Sequence, residues 1–280
     1  MRSLTCFGIF VAVLISTAWP GALEGTELPL WEAGAGLSVL NLPDYRGSDE
    51  QRFYVFPIPY LIYRGEVLRI DGQTVRGLLF KSETFQLDLS LNGSVPVNSR
   101  RNRARHGMPD LDPTVEIGPS FEIVLAHDRV ADYKVSVIAP IRAVFAVNVS
   151  GIRGVGWIAN PRLNFDLFDF GPEKVNVSLG VGPVFADRLY HQYFYGVDSS
   201  DALPDRPAYS APGGYSGTQF LLTATKRFAK MWVGAFLRVD LLDHAAFERS
   251  PLVKTKESIM AGVAVSWIFA QANRLVTVDE

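Results

Sequence analysis

Apolar and polar residues alternate along most of this chain. The clearest segment is residues 85–92, FQLDLSLN, and residues 114–125 repeat the pattern. Strict alternation places the apolar side chains on one face of a β-strand and the polar side chains on the other. About twelve such segments can be recognised, and the sequence therefore predicts an all-β protein. The predicted strands are Leu30–Leu40, Arg52–Ile62, Glu66–Ile70, Val75–Phe80, Phe85–Asn92, Thr114–Leu125, Tyr133–Asn148, Trp157–Phe168, Val175–Phe185, Thr218–Phe228, Met231–Leu241 and Ser258–Phe269.

Every long gap between these segments falls on the same side of the predicted sheet. If the first strand runs outward, the short gaps lie on the inner side, at 63–65, 81–84, 126–132, 169–174 and 229–230. Short periplasmic turns and longer external loops are typical of bacterial outer-membrane barrels. The pattern thus predicts an antiparallel transmembrane β-barrel with both termini in the periplasm. The outward gaps are 41–51, 71–74, 93–113, 149–155, 186–217 and 242–257.

A soluble β-sandwich or a lipocalin-like barrel is the alternative, because alternation alone fits either architecture. The length of the segments favours the membrane barrel. Several run for about ten to sixteen residues, whereas strands of soluble proteins are mostly near five or six. Aromatic residues such as Tyr54, Tyr63, Trp157 and Trp267 also collect toward segment ends, as they do in the aromatic girdles of membrane barrels.

The first residues have the pattern of an export signal. Arg2 precedes an apolar run from Leu4 to Trp19, which is short for a membrane-spanning helix. We predict a signal peptide over residues 1–22, cleaved between 18 and 25, then the barrel over 23–269 and a polar periplasmic tail over 270–280. Cys6 is the only cysteine. Its loss with the leader would exclude disulfides and thiol catalysis.

Six prolines lie inside the predicted strands. Proline has no N–H to donate to a strand ladder and is normally confined to edges and bulges, yet a closed barrel has no edge. We therefore expect a bulge or a strand break at some of them. They are Pro57, Pro59, Pro119, Pro140, Pro161 and Pro183.

Seven charged residues fall on the polar face of the predicted strands. Charges on the lipid face of a barrel are destabilising, by about 2–4 kcal/mol for arginine at mid-depth, so these residues should face the lumen. They fit either a salt-bridge network that fills a narrow lumen or the lining of a small hydrophilic pore. Twelve strands lie between filled and open barrels, so size does not decide. The residues are Glu116, Glu122, Arg142, Arg162, Asp166, Arg238 and Asp240.

No set of residues has the spacing of an enzyme or metal site. The four histidines are scattered between the predicted strands, as expected of solvated loop residues. The one Ser–His combination worth considering is His191 with Ser199 or Ser200, which share the longest loop. We predict no catalysis and no cofactor. The aromatic residues of that loop, 186–217, favour its folding into the lumen as a plug.

A basic cluster occupies the outward gap 93–113. Arg100, Arg101, Arg103 and Arg105 could pair with the phosphates of lipopolysaccharide. The alternative is a solvated basic loop. The net charge of −2 gives no electrostatic argument for nucleic acid as a partner.

Three sequence blocks occur in order along the chain. The first is PDYRGSD at 43–49 with FPIPY at 56–60, the second YGV at 195–197 with AYSAPGG at 208–214, and the third LDHAA at 242–246 with SPLV at 250–253. Together they resemble the MltA-interacting protein family, also called MipA/OmpV. The resemblance implies a monomeric, non-enzymatic outer-membrane barrel. It also implies a scaffold that joins a lytic transglycosylase to a murein synthase, or, as in other members, a porin-like or surface adhesion protein.

Overall fold

The computed structural model describes residues 27–64, 68–71, 74–77, 80–81, 84–128 and 130–277. The predicted signal peptide, 1–22, and the last residues of the predicted tail, 278–280, lie outside this part of the chain. The described residues form strands β1–β16 and one helix, α1 (Arg188–Tyr195). The strands are β1 (Glu27–Pro29), β2 (Trp31–Pro43), β3 (Gln51–Arg64), β4 (Leu68–Asp71), β5 (Thr74–Gly77), β6 (Phe80–Lys81), β7 (Phe85–Ser94), β8 (Thr114–Asp128), β9 (Tyr133–Asn148), β10 (Gly151–Ala159), β11 (Arg162–Phe170), β12 (Val175–Ala186), β13 (Gly214–Arg227), β14 (Met231–Leu241), β15 (Glu257–Gln271) and β16 (Leu275–Thr277).

Strands β2 to β15 form one antiparallel sheet that closes into a barrel. The pairing order runs from β5 through β4, β3, β2 and β15 down to β7 and β6, with β11 between β9 and β12. Its two ends, β5 and β6, follow one another in the chain, and β5 also contacts β7. The two ends of the sheet are thereby brought together. Counting β5 with β6 and β10 with β11, the described sheet has twelve strands, and the predicted antiparallel barrel fold is confirmed.

Burial alternates along each long strand with the polar side inward, as β15 shows most clearly. Val263, Trp267 and Phe269 are exposed on its outer face, whereas Ser258 and Ser266 on its inner face are buried. A soluble barrel would have the opposite arrangement. The surface toward the membrane is therefore apolar, and the interior is polar, as in membrane-spanning barrels. None of the described residues forms a helix long and apolar enough to cross a membrane.

Two predicted boundaries differ from the structure. The outward gap 149–155 is a tight turn, because β9 ends at Asn148 and β10 begins at Gly151. The tail does not begin at 270 as a free segment. Strand β15 continues to Gln271, and β16 then pairs with β1 in a small separate sheet at the periplasmic end.

The strand prolines are accommodated in different ways. Pro57 and Pro59 sit in the uninterrupted register between β2 and β3. Pro183 lies beside a register shift between β12 and β13. The strand breaks only at Pro161, which separates β10 from β11. One of the six sites is thus a break and one a bulge, as expected, while the register at Pro57 and Pro59 continues without either.

Candidate functional site

A cavity of about 220 Å³ occupies the outer half of the lumen. Its wall mixes charged side chains from β8, β9 and β14 with apolar ones such as Ile138 and Phe236. Five of the seven charged residues that the sequence placed inward line it: Glu116, Glu122, Arg142, Arg162 and Arg238. The other two, Asp166 and Asp240, are buried in the barrel interior.

Three of these charges, Glu116, Glu122 and Arg142, take part in ion pairs between β8 and β9. Arg142 Nε donates to Glu116 Oε2 at 2.8 Å, and Lys134 Nζ lies 3.0 Å from Glu122 Oε1. Deeper in the lumen, Asp166 Oδ1 accepts from the side-chain amide of Asn164 at 2.8 Å. Pairing of this kind satisfies buried charges that would otherwise be costly. In the lumen, ion pairs therefore surround a remaining cavity.

The strongest electrostatic cluster surrounds Asp240, which is fully buried near the outer end of β14. Arg238 binds both carboxylate oxygens, at 2.8 and 3.1 Å. Arg46, from the first outer loop, places Nε 3.1 Å from Oδ1, and Gln219 donates to the same oxygen at 3.2 Å. Arg46 also donates to the hydroxyl and carbonyl of Ser216. This cluster fastens an outer loop to the barrel wall.

Four outer loops pack together over this end of the barrel into what we call the cap, formed by residues 44–50, 95–113, 187–213 and 242–256. The cap shares one apolar core with the inner faces of β9, β10 and β12, and its cap members include Val97, Met108, Phe194, Phe247 and Leu252. Tyr190, Phe194 and Tyr195 also form the roof of the cavity. The expected plug is therefore present, but it is built from four loops and rests on the barrel mouth.

Helix α1 organises the centre of the cap. The Asp187 side chain caps it by accepting from the backbone N–H of Tyr190 at 2.9 Å. The Tyr195 ring stacks on Phe247 with centroids 3.6 Å apart, and His191 meets the same ring edge-on at 4.7 Å. Burial raises the pKa of Tyr195 well above its usual range.

His191 is wholly buried in the cap, contrary to the expectation of a solvated histidine. Its Nδ1 lies 2.6 Å from the carbonyl oxygen of Pro212 and so carries the proton that is donated to it. Its Nε2 has no hydrogen-bond partner among the described residues. Burial lowers the pKa of His191, and the Pro212 carbonyl opposes this only in part. The ring is held neutral.

The Ser–His pair considered from the sequence is not formed. Ser199 and Ser200 are exposed on a short 3₁₀ turn, whereas His191 is enclosed by aromatic rings. His127 lies within β8 and not in a loop. No group of His, Cys, Asp or Glu in the described ranges is arranged to hold a metal ion.

The basic cluster of the third outer loop divides into two kinds of residue. Arg100, Arg101 and Arg103 are exposed, and Arg103 pairs with Asp49 at 2.8 Å. Arg105 is buried, which lowers its pKa. It donates to Ser99 Oγ, to Pro109 O and, across the cap, to Phe194 O at 3.2 Å. The prediction of a lipopolysaccharide contact is therefore wrong for Arg105, which braces the cap internally.

Several interior charges escaped the sequence analysis. Arg46 lies in a gap and Glu32 in a strand without clear alternation, so neither was assigned to the lumen. Glu32 is buried and pairs with Arg227 at 2.8 Å near the periplasmic end. Lys134 lies opposite His127 on the neighbouring strand, and this register could have marked it as inward-facing beside Glu122.

The model of the MltA-interacting protein MipA family matches residues 35–269, which is nearly the whole barrel with its cap. The chain belongs to this family. It is an outer-membrane β-barrel protein. Two solved structures are similar at low identity: an outer membrane channel from Pseudomonas putida F1 (14% identity, 90% of this chain and 100% of that chain covered, TM-score 0.47) and a bacterial polysaccharide outer membrane secretin (8%, 85% and 99%, TM-score 0.42). A search of curated proteins finds no match.

The three sequence blocks that resemble the MipA family meet one another in the cap. Tyr45 Oη donates to Leu252 O at 2.8 Å, which joins the first block to the third. Tyr195 Oη donates to Arg46 O at 3.0 Å, and Ser250 Oγ donates to Tyr195 O at 2.7 Å. Each block is thus bonded to the other two. Together the three blocks close the outer mouth of the barrel.

Proposed function

We propose that this protein is a capped, non-enzymatic barrel that serves as an outer-membrane scaffold for murein-remodelling enzymes, a lytic transglycosylase and a murein synthase. The observation that carries the proposal is the closed outer mouth. The cap has a continuous apolar core and is tied to the wall through Arg46 and Asp240. A barrel closed in this way is suited to a structural role more than to free diffusion of solutes.

The periplasmic end supports the same proposal. There the first and last described strands, β1 and β16, pair in a sheet that stands apart from the barrel sheet. A two-stranded sheet has unpaired edges, and such edges bind partner strands by main-chain hydrogen bonds. The printed description of the family, an MltA-interacting protein, is consistent with a partner on this side.

The scaffold role is tested by isolating the tagged full-length protein from solubilised envelopes and assaying the eluate for lytic transglycosylase and murein synthase. Enrichment of both over an unrelated outer-membrane barrel of similar abundance supports the proposal. Absence of both, from envelopes cross-linked before solubilisation, refutes it. The protein is expected to elute as a monomer when its partners are removed.

A small channel is the second candidate, and the charged cavity favours it. Arg142, Arg162 and Glu116 line a space of about 220 Å³ that an entirely filled lumen would lack. Single-channel recording in planar bilayers separates the candidates. Resolved conductance steps at neutral pH would support a channel, and a flat baseline would support the closed scaffold.

We also propose that the exposed arginines of the third outer loop contact lipopolysaccharide phosphates. Arg100, Arg101 and Arg103 lie at the cap surface, where they can reach head groups. Changing all three to Ser is expected to reduce co-purified lipopolysaccharide without changing heat-shifted mobility on gels. An unchanged amount of co-purified lipopolysaccharide would refute the proposed contact.

A further inference from the structure

Two prolines lie opposite each other on adjacent strands of the barrel wall, at the point where β10 ends and β11 begins. The register that pairs Ala159 with Phe185 and Leu163 with Val181 sets Pro161 opposite Pro183. The backbone N–H of Asp187 donates to Trp157 O in the same register, so the odd-numbered positions are the hydrogen-bonded pairs. Residues in such a pair normally exchange two N–H···O bonds. Proline at both positions removes both bonds.

The missing bonds leave a long interval in the ladder. Hydrogen-bonded pairs remain at Ala159 and at Leu163, four residues apart, which is about 13 Å of strand. We call this contact, between residues 159–163 and 181–185, the seam. One side chain partly replaces the ladder there, because Asn160 Nδ2 donates to Pro183 O at 3.1 Å. The seam is otherwise closed by close backbone packing, because a Cβ at Gly182 would overlap the carbonyl oxygen of Pro161.

The seam separates the cavity from lipid. On its inner side Ile158, Asn160 and Val184 line the cavity. On its outer side Trp157 and Leu163 are exposed, at 54% and 48%, and mark the membrane-facing surface. Only one layer of backbone, with weakened strand pairing, thus separates the cavity from the lipid. The axial route, by contrast, runs through the whole cap.

We propose that the seam is a lateral opening through which an amphipathic molecule with a charged head group passes between the outer leaflet and the cavity. The cavity chemistry carries the choice of ligand. Ile158 and Val184 give the inner side of the seam an apolar surface. Arg162 lies within the seam, and Arg142, opposite Ile158 on β9, pairs with Glu116. A molecule that enters from lipid would place its head group among these charges and its chain along the apolar surface.

The opening can be tested with a cysteine in the cavity. Ser120 lines the cavity, and registers place it level with Pro140 and, through Pro140, with Asn160. The full-length S120C protein in vesicles is treated with pyrene maleimide, which partitions into lipid, or with a membrane-impermeant charged maleimide added outside. The proposal expects labelling by pyrene maleimide to be faster than labelling by the charged reagent.

A disulfide across the seam supplies the decisive comparison. Asn160 lies opposite Val184 at a non-hydrogen-bonded position, where Cα separations suit a disulfide. In the triple variant S120C/N160C/V184C, oxidation should form the disulfide across the seam and stop pyrene maleimide labelling at position 120, and reduction should restore it. The matched control is T114C/A146C, an inward-facing, non-hydrogen-bonded pair on β8 and β9 that does not line the cavity and whose register continues to Ile117. Its oxidation should leave labelling unchanged.

A repair variant keeps the test independent of disulfide formation. Pro183→Val returns one N–H donor opposite Pro161, and restoring one ladder bond should slow labelling about fivefold. Heat-shifted gel mobility confirms that each variant is folded. Equal labelling by both reagents, labelling unaffected by the seam disulfide and by P183V, or no labelling of S120C at all would each overturn the lateral opening. None of these outcomes bears on the pull-down that tests the scaffold.

Discussion

Asp240→Asn should be one of the most damaging single changes in the barrel, although it preserves shape. The carboxylate is fully buried and lies between Arg46 and Arg238, whose side chains are 7% and 16% exposed. Asparagine removes the negative charge and leaves the two guanidinium groups facing each other. Removing one partner from a buried ion pair costs about 3–5 kcal/mol. We expect a loss of that size in the free energy of unfolding.

Arg46→Met should cost less, because Asp240 keeps both bonds from Arg238 and the one from Gln219. The variant loses the ion pair and two bonds to Ser216 but leaves no buried charge without a partner, so we expect a total loss of about 1.5–3 kcal/mol. In the double variant R46M/D240N, position 46 carries no charge, so Arg238 has no positive neighbour there to repel it. The double variant should therefore lose less stability than the sum of the two single losses.

Equilibrium urea unfolding in detergent or vesicles, followed by tryptophan fluorescence, measures all three variants. Glu173→Gln is the control, since Glu173 pairs with Lys226 at the surface and its removal should change nothing measurable. The reasoning would be refuted if R46M cost as much as D240N, or if the two losses were strictly additive. Strict additivity would mean that Asp240 does not join the cap to the wall, and an R46M loss as large as that of D240N would mean that Arg238 and Gln219 do not hold the carboxylate without Arg46.

Three further predictions concern the cap and the tail. Burial lowers the pKa of His191, so near the usual histidine pKa only the opened cap binds a proton. Cap stability should therefore be full above about pH 6.5 and fall below it. The fall should appear as faster proteolysis of the outer loops, and H191F should abolish this pH dependence. Arg105→Ala should speed cap proteolysis, because three bonds are lost, while co-purified lipopolysaccharide stays constant. Ending the chain after Arg274 removes β16 and should abolish recovery of murein enzymes; retained recovery with normal heat-shifted mobility would exclude the β1–β16 sheet as their docking site.

The barrel wall could be predicted from sequence because a strand has a period of two and lipid enforces it. In β8 the alternation that placed Glu116 and Glu122 inward is the alternation the structure has. Strand ends were less certain, since residues 149–155 (VSGIRGV) contain two glycines and no strict alternation yet continue the β9–β10 hairpin. A tight turn and a loop differ there by backbone conformation, including a positive φ of 136° at Gly151.

The cap could not be predicted in the same way, because its core comes from loops that meet only in three dimensions. Arg105 looked like its exposed neighbours in sequence, and only the approach of Phe194 from another loop distinguishes it. One local signal was available. Tyr190, His191, Phe194 and Tyr195 are spaced as one face of a helix, after an Asp187 cap, and all four are buried. That spacing could have indicated a buried helix in place of a solvated loop.

The axial exit through the cap and the lateral exit through the seam require different contacts to be broken. Axial opening separates the three cap blocks, breaking the bonds of Tyr45 to Leu252 and of Tyr195 to Arg46, the Arg46–Asp240 pair, and an apolar core. Lateral opening at the seam breaks the side-chain bond of Asn160 and the apolar contacts of Ile158 and Val184, but no ladder bonds between Pro161 and Pro183. Local openings populate the state that breaks the fewest contacts. A protein closed to solutes along its axis can therefore still exchange molecules with the outer leaflet, and a flat conductance baseline would agree with both the scaffold and the lateral opening.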